Sequence, residues 1–236
     1  MQTPRIEEYY RYSNEKEILL ELLGQELKGN YRTALDVGAG DGRISQLLSV
    51  RSRYLSLCEP NLFYKETLKN KFPNATLMTV PIQSASLETY DCILVSQSMY
   101  SHDTENWIPV IHWLLEHLNV GGDLHLIVNS DQGDWWEAVR GIWTTAPDAL
   151  AFNYFPSSRL IQRLSETNHI KTKRFAYQMA FPNRSSFENY ILRSCVPLKK
   201  KTPELDSILE SYLNSIPSET LTLNYVSDLI SLKRVR

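Results

Sequence analysis

The chain has 236 residues, with 25 Lys and Arg against 27 Asp and Glu and a formal net charge of −2. That length suits one domain with a sizeable core, and the near-neutral balance argues against a general nucleic-acid binder. No apolar run approaches the roughly 18–20 residues of a membrane span, and the N-terminal "MQTPRIEEYYRY" carries no apolar signal segment. The expectation is a cytoplasmic protein, a monomer or weak homodimer, with neither membrane nor nucleic acid as partner. Cys58, Cys92 and Cys195 form no C-x-x-C pair, and the five histidines are scattered without ligand spacing, so neither a structural disulfide nor a metal site is expected.

In chain order, residues 1–30 read as a helical arm. "TALDV" (33–37) is a short apolar strand, and Ile44, Leu47 and Leu48 after it have helical spacing. "RYLSLCEP" (53–60) alternates and ends in an acid before proline; 61–72 has Tyr64, Leu68 and Phe72 on one helical stripe. "ATLMTV" (75–80) and "YDCILVSQS" (90–98) read as strands three and four. Trp107, Val110, Ile111, Leu114, Leu115 and Leu118 form a helical face stopped by Gly121-Gly122, and "DLHLIVNS" (123–130) is a fifth strand. "GDWWEAVRGIW" and 157–168 suggest short helices. "IKTKRFAYQMAF" (170–181) suggests a strand, 182–217 a helical insertion, and "TLTLNYVSDLISL" the last strand.

Alternation of this kind gives βαβ units with right-handed crossovers. The fold expected is α/β: a doubly wound, mostly parallel seven-stranded sheet with an antiparallel C-terminal strand and a small helical substrate lobe. A cofactor-binding half is expected over 31–130 and substrate-side elements over 131–236. In such a sheet ligands gather at the carboxyl ends of the strands where strand order reverses. The glycine loop, Glu59, Ser84 and Ser96-Gln97 should therefore share one crevice.

The stretch "LDVGAGDGRIS" places Gly38, Gly40 and Gly42 two residues apart, with Asp36 before them. A dinucleotide site needs G-x-G-x-x-G, and the position of its third glycine holds Arg43; no G-K-[ST] follows for a P-loop. Asp36-x-Gly38-x-Gly40-x-Gly42, with Glu59 at the end of strand two, resembles the first motifs of class I S-adenosylmethionine-dependent methyltransferases. The resemblance implies S-adenosylmethionine as cofactor, held by Asp36, Gly38, Ala39 and Gly40. It also implies that Glu59 and Pro60 lie at the ribose, where a carboxylate accepts both hydroxyl protons. Within that family "YDCILVSQSMYS", "CEPN" and "YSNEKE" resemble the histamine N-methyltransferase branch. That branch implies adenosine contacts at Tyr64 and Ser84; Ser96 and Gln97, at the end of strand four, are expected beside the cofactor from the sheet architecture. The branch also implies an amine pocket of Gln97, Tyr100, Glu15, Trp136 and Asn224, the last interchangeable with its neighbour Tyr225, and Tyr9 and Tyr10 are further candidates for its wall.

The activity implied is methyl transfer to a small molecule, an amine nitrogen first and an oxygen or carboxylate second, with a non-catalytic cofactor-binding protein as the remaining reading. Gln97 would orient the attacking nitrogen, His102 would serve as base, and Glu15 would hold a remote cationic group of the substrate. Each role has a plainer counterpart. Glu15 can be an acid in the first turn of a helix, His102 a cap, and Trp136 a core residue. Trp135, Val139, Ile142 and Trp143 form the stripe expected to face the core, with Trp136 about 100° away and directed at the pocket.

Overall fold

A computed structural model describes residues 9–235. Seven strands form one sheet: β1 (Tyr31–Val37), β2 (Ser52–Cys58), β3 (Thr76–Met78), β4 (Tyr90–Ser96), β5 (Leu118–Gly133), β6 (Ile170–Ala180) and β7 (Thr222–Lys233), in the order β3-β2-β1-β4-β5-β7-β6. β3, β2, β1, β4 and β5 run parallel, and β7 is antiparallel to both β5 and β6. Strand order reverses beside β1, between β2 and β4, so a crevice opens where the glycine loop leaves β1.

The central strands are buried on both faces because helices cover both. Leu35 and Val37 of β1 pack with Trp107, Ile111 and Leu114 of α4 (Trp107–Glu116) and with Leu160 and Leu164 of α6 (Ser157–Ser165). On the other face Ala34 packs with Leu19 and Leu23 of α1 (Glu15–Glu26), Leu48 of α2 (Ser45–Ser49) and Leu68 of α3 (Lys65–Lys71). A third cluster joins α5 (Asp134–Thr145), α7 (Arg184–Tyr190) and α8 (Pro203–Asn214) to the site-side ends of β6 and β7. The insertion between β6 and β7 contributes α7, a π-helical turn Ile191–Cys195, and α8, whose Thr202 side chain caps the first turn before Pro203.

Two boundaries differ from expectation. The α4 helix stops at Glu116, where His117 Nδ1 lies 2.8 Å from the Trp113 carbonyl, and β5 starts at Leu118. Gly121 and Gly122 lie inside β5, tied to Arg234 by backbone bonds of 2.8 and 3.1 Å. At its other end β5 runs on to Gly133 with a bulge after Asn129, so the strand reaches past the sheet into the lobe. The first eight residues of the expected arm lie outside the described residues. No described helix is long and apolar enough to cross a membrane. Among the described residues no group of three or more His, Cys, Asp or Glu is arranged for a metal ion, and the three cysteines are buried and form no disulfide.

Candidate functional site

Three adjoining cavities open at the carboxyl ends of the strands, and Gln97 lines all of them. Gln97 follows β4 and holds φ +53°, a left-handed conformation that costs a non-glycine residue about 1 kcal/mol or more. Its backbone N–H donates to the Ile127 carbonyl at 2.9 Å. Its side chain is held by four partners. The Tyr100 hydroxyl donates to Oε1 at 2.8 Å. The amide Nε2 faces Asn129 Oδ1 at 3.1 Å, Ser227 Oγ at 3.2 Å and Glu15 Oε1 at 3.4 Å.

The first cavity, about 530 Å³, is lined by Gly38, Glu59, Pro60, Ile82, Gln83 and His102. Glu59 is buried, and backbone N–H groups fix both of its oxygens: Gly40 donates to Oε2 and Asn61 to Oε1, each at 2.8 Å. Each carboxylate oxygen keeps a lone pair directed elsewhere. Gly38, at φ +78°, passes so close to Ser98 that an added Cβ would lie 2.3 Å from the Ser98 Cβ. Bare backbone is therefore required there, sterically as well as conformationally.

The second cavity is small and polar, about 140 Å³, between the glycine loop and the N-terminal segment. Asp36, Ala39, Gly40 and Ser96 line it on one side, Tyr10 and Lys16 on the other. Gly40 has φ +54°, and its missing Cβ would meet no atom within 4 Å, so the loop borders open space. Ser96 Oγ is buried without a hydrogen-bond partner. Asp36 is buried and accepts from Ser45 Oγ at 2.6 Å; burial pushes its carboxyl up to about 6, against the smaller lowering effects of Ser45 and Lys16. The Tyr10 ring lies between two cations, 5.1 Å from the Arg43 guanidinium carbon and 5.7 Å from Lys16 Nζ, which docks the N-terminal segment on the loop.

The third cavity, about 320 Å³, has aromatic walls: Tyr9 and Tyr10 before α1, Tyr100 after β4, Trp135 on α5, Tyr177 on β6 and Tyr225 on β7. Phe152 and Tyr190 also line it. Trp135 and Tyr177 both stack on Tyr225, at 6.2 and 5.2 Å between ring centroids. Several hydroxyls bond one another, Tyr9 to Tyr177 at 3.0 Å and Tyr190 to Tyr225 at 2.8 Å. Burial raises the phenols of Tyr9, Tyr100, Tyr177 and Tyr225 well above their ordinary value, so these rings stay neutral. Glu15 is the only carboxylate among the described residues lining this cavity. It is 4% exposed, and among the described residues no Lys or Arg forms an ion pair with it.

Local sequence explains where Glu15 stands. Ser13 Oγ accepts from the Glu15 N–H at 3.1 Å, and Asn14 exchanges bonds of 3.1 and 2.8 Å with the Gln178 backbone of β6. This clamp starts α1 at Glu15, where a negative charge suits the helix N-terminus. The buried stripe of α1 is Glu15, Leu19, Leu22 and Leu23, so the acid heads a line of leucines and is carried inward with them.

Of the residues expected from sequence, Asp36, Gly38, Ala39, Gly40, Glu59, Pro60, Ser96, Gln97, Tyr10, Glu15 and Tyr100 line these cavities. Five do not stand where expected. Ser84 is exposed, and its neighbour Gln83 takes the cavity wall in the turn Ile82–Ser84. Tyr64 is buried behind the rim, edge-on to Phe63 at 5.2 Å, because Asn61 caps a 3₁₀ turn that directs it inward. His102 borders the first cavity, not the aromatic one, with Nδ1 2.5 Å from Gln83 Nε2.

The two tryptophans exchange places. Trp135 lines the aromatic cavity and donates to the Cys195 carbonyl at 3.2 Å, while Trp136 packs on Trp143 and Tyr154. The stripe that faces the sheet also faces the cavity, because the cavity lies between α5 and β7. Asn224 points out of β7, with Nδ2 3.0 Å from Asp134 Oδ2, and strand alternation turns Tyr225 inward. Lys16, Asn129, Tyr177 and Ser227 were not singled out from sequence. Lys16 had a signal in its place beside Glu15; Asn129 and Ser227 become partners only through β5–β7 pairing.

No protein-family model matches the chain, and no curated protein matches its sequence. Solved structures do match. A Bacillus halodurans C-125 protein provisionally named a methyltransferase superposes with a TM-score of 0.66 at 16% identity, over 92% of this chain and 99% of its own. N-methyltransferase NodS from Bradyrhizobium japonicum WM9, in complex with S-adenosyl-L-homocysteine, gives 0.58 at 13% identity over 94% and 87%. The plantazolicin methyltransferase BpumL, also with S-adenosyl-L-homocysteine, gives 0.50 at 15% over 93% and 82%. The fold is that of the class I S-adenosylmethionine-dependent methyltransferases.

Proposed function

We propose that the protein is an S-adenosylmethionine-dependent methyltransferase that acts on the nitrogen of a small amine. The observation that carries this reading is the buried Glu15 carboxylate, without a cationic partner among the described residues, in a cavity walled by aromatic rings. A buried charge is tolerated when it is paired, so this one calls for a cation supplied by the ligand. Ring faces add roughly 0.5–2 kcal/mol per cation contact. The resemblance of "YSNEKE" and "YDCILVSQSMYS" to the histamine N-methyltransferase branch points to the same chemistry.

The other two cavities suit the cofactor. In this reading Glu59 accepts the two ribose hydroxyls with the lone pairs that Gly40 and Asn61 leave free. Gln83, Ile82 and His102 border the adenine end. The orphaned Ser96 hydroxyl, the bare Gly38–Gly40 backbone, Asp36 and Lys16 offer donors and charges to an amino-acid tail in the polar cavity. The bound cofactor would supply an electrophilic methyl group on a sulfonium centre. The protein's share is alignment: Gln97, held from four sides where the cavities meet, positions the nucleophile, and such positioning contributes up to about 7–11 kcal/mol. Residues 31–130 then serve chiefly the cofactor, and 131–236 together with the N-terminal arm serve the substrate.

The test is incubation with methyl-labelled S-adenosylmethionine and a panel of small amines, phenols and carboxylic acids. Label is expected in amines, and in Glu59→Ala cofactor affinity is expected to fall at least 10-fold. Label in phenols or acids alone redirects the reading to oxygen, and cofactor binding with no labelled product leaves a binding protein.

A further inference from the structure

We infer that Glu15 is the proton acceptor for the attacking nitrogen, rather than an anchor for a distant charge. The inference rests on the amine reading above. The place of methyl transfer must be where the cofactor cavities meet the aromatic one, and Gln97 marks that junction because it lines all three. Glu15 Oε1 lies 3.4 Å from the Gln97 amide nitrogen, and both residues line the aromatic cavity. A nitrogen seated against Gln97 therefore lies beside the Glu15 carboxylate.

Elimination leads to the same residue. A simple alkylamine reaches the protein as an ammonium ion, which has no lone pair with which to attack. His102 borders a different cavity and is paired with Gln83. Tyr9 bonds Tyr177, Tyr190 bonds Tyr225 and Tyr100 donates to Gln97, and burial disfavours ionising Tyr9, Tyr10, Tyr100, Tyr177 and Tyr225. Asn129 and Gln97 are amides. Lys16 is already a cation. Among the described residues lining the aromatic cavity, Glu15 is the one carboxylate.

The step balances as follows. An N–H bond of the ammonium breaks and its proton forms an O–H bond on Glu15, which leaves a neutral amine and a neutral acid. The nitrogen lone pair then forms the N–C bond to the donor methyl as the C–S bond breaks, its electron pair returning to sulfur. The product leaves as a methylated ammonium ion, and Glu15 gives its proton to water.

The experiment compares wild type with Glu15→Gln on two monoamines that have no second charge, 2-phenylethylamine and its β,β-difluoro analogue, whose fluorines lower the basicity of the nitrogen. In Glu15→Gln, kcat/KM for 2-phenylethylamine is expected to fall by about 10²–10⁴-fold near pH 7, the range for a lost acid–base group. What activity remains should rise tenfold per pH unit with the free-amine fraction. For the difluoro analogue, which arrives largely deprotonated, the loss should shrink below tenfold. Calorimetry adds a readout independent of turnover. With S-adenosyl-L-homocysteine present, 2-phenylethylamine should bind the variant with release of a proton to the buffer, and bind wild type without release. S-Adenosyl-L-homocysteine affinity should be equal in the two proteins, which confirms that the variant is folded. Equal losses for the two amines overturn the assignment and return Glu15 to charge anchoring. Failure of wild type to methylate any amine overturns the amine reading itself, and the assignment with it.

Discussion

At the scale of single residues, the site joins groups that stabilise the fold to groups that weaken it. Asp36 is among the latter. Burial raises its carboxyl from the ordinary 3.8 to about 6, so the folded state holds a proton that the unfolded chain has already released. The sign follows from linkage: stability is greatest below about pH 4, falls as pH rises through about 6, and is then level. A displacement of this size corresponds to roughly 3 kcal/mol. Asp36→Asn keeps an acceptor for Ser45 and carries no charge. Urea unfolding should show the variant more stable than wild type at pH 7.5, and nearly equal to it at pH 4. A carboxylate kept at such cost beside the glycine loop fits a residue retained for its ligand. The glycines, Asp36 and Glu59 could be picked out from sequence because spacing and strand ends locate them. Trp135 and Tyr225 could not be told from their neighbours. A helical stripe shows which side chains turn inward, and here inward means both core and cavity.

At the scale of elements, β6 and β7 pair over eleven positions, and one ion pair joins them across the register. Arg174 lies opposite Asp228 and donates to both of its oxygens, at 2.8 and 3.1 Å; Ser157, at the start of α6, adds a bond of 2.7 Å. Asp228 is 2% exposed, whereas the Arg174 side chain is 41% exposed. The two partners are therefore unequal. Arg174→Ala should destabilise the protein by about 3 kcal/mol, since it leaves a buried carboxylate with hydroxyl partners only. It should leave cofactor affinity unchanged, because Arg174 lies outside all three cavities. Chemical denaturation and calorimetry measure the two effects. The periodicities of these elements were visible in the sequence, apart from strand ends. The continuous apolar run of β4 and the apolar helical face of α4 predict their burial. The extension of β5 past Asn129 was not visible, because a bulge follows from pairing with β7 and has no local periodicity.

At the scale of the whole molecule, the two faces of the sheet carry two cores beneath the first two cavities, and a third, aromatic core fills the lobe. A ligand that bridges them stabilises the native state by mass action. S-Adenosyl-L-homocysteine at 100 times its dissociation constant should add about 2.7 kcal/mol, a rise in Tm of roughly 5–11 °C for a chain of this length. Differential scanning calorimetry should record that rise in wild type and a smaller one in Glu59→Ala at the same concentration. A nicotinamide dinucleotide at equal concentration should leave Tm where it was. The seven-stranded architecture was readable in advance because five alternating strand and helix patterns leave few right-handed arrangements. The partition of one cavity from another was not, since it depends on Gln97 adopting a backbone conformation that no propensity predicts.

Glu15 and Lys16 are adjacent in the chain. Glu15 reaches only the aromatic chamber, whereas Lys16 also borders the polar one. A single turn of backbone thus sets a carboxylate on one chamber and a lysine on both. Under the proposed reading, any shift of that turn disturbs the amine and the cofactor's tail together.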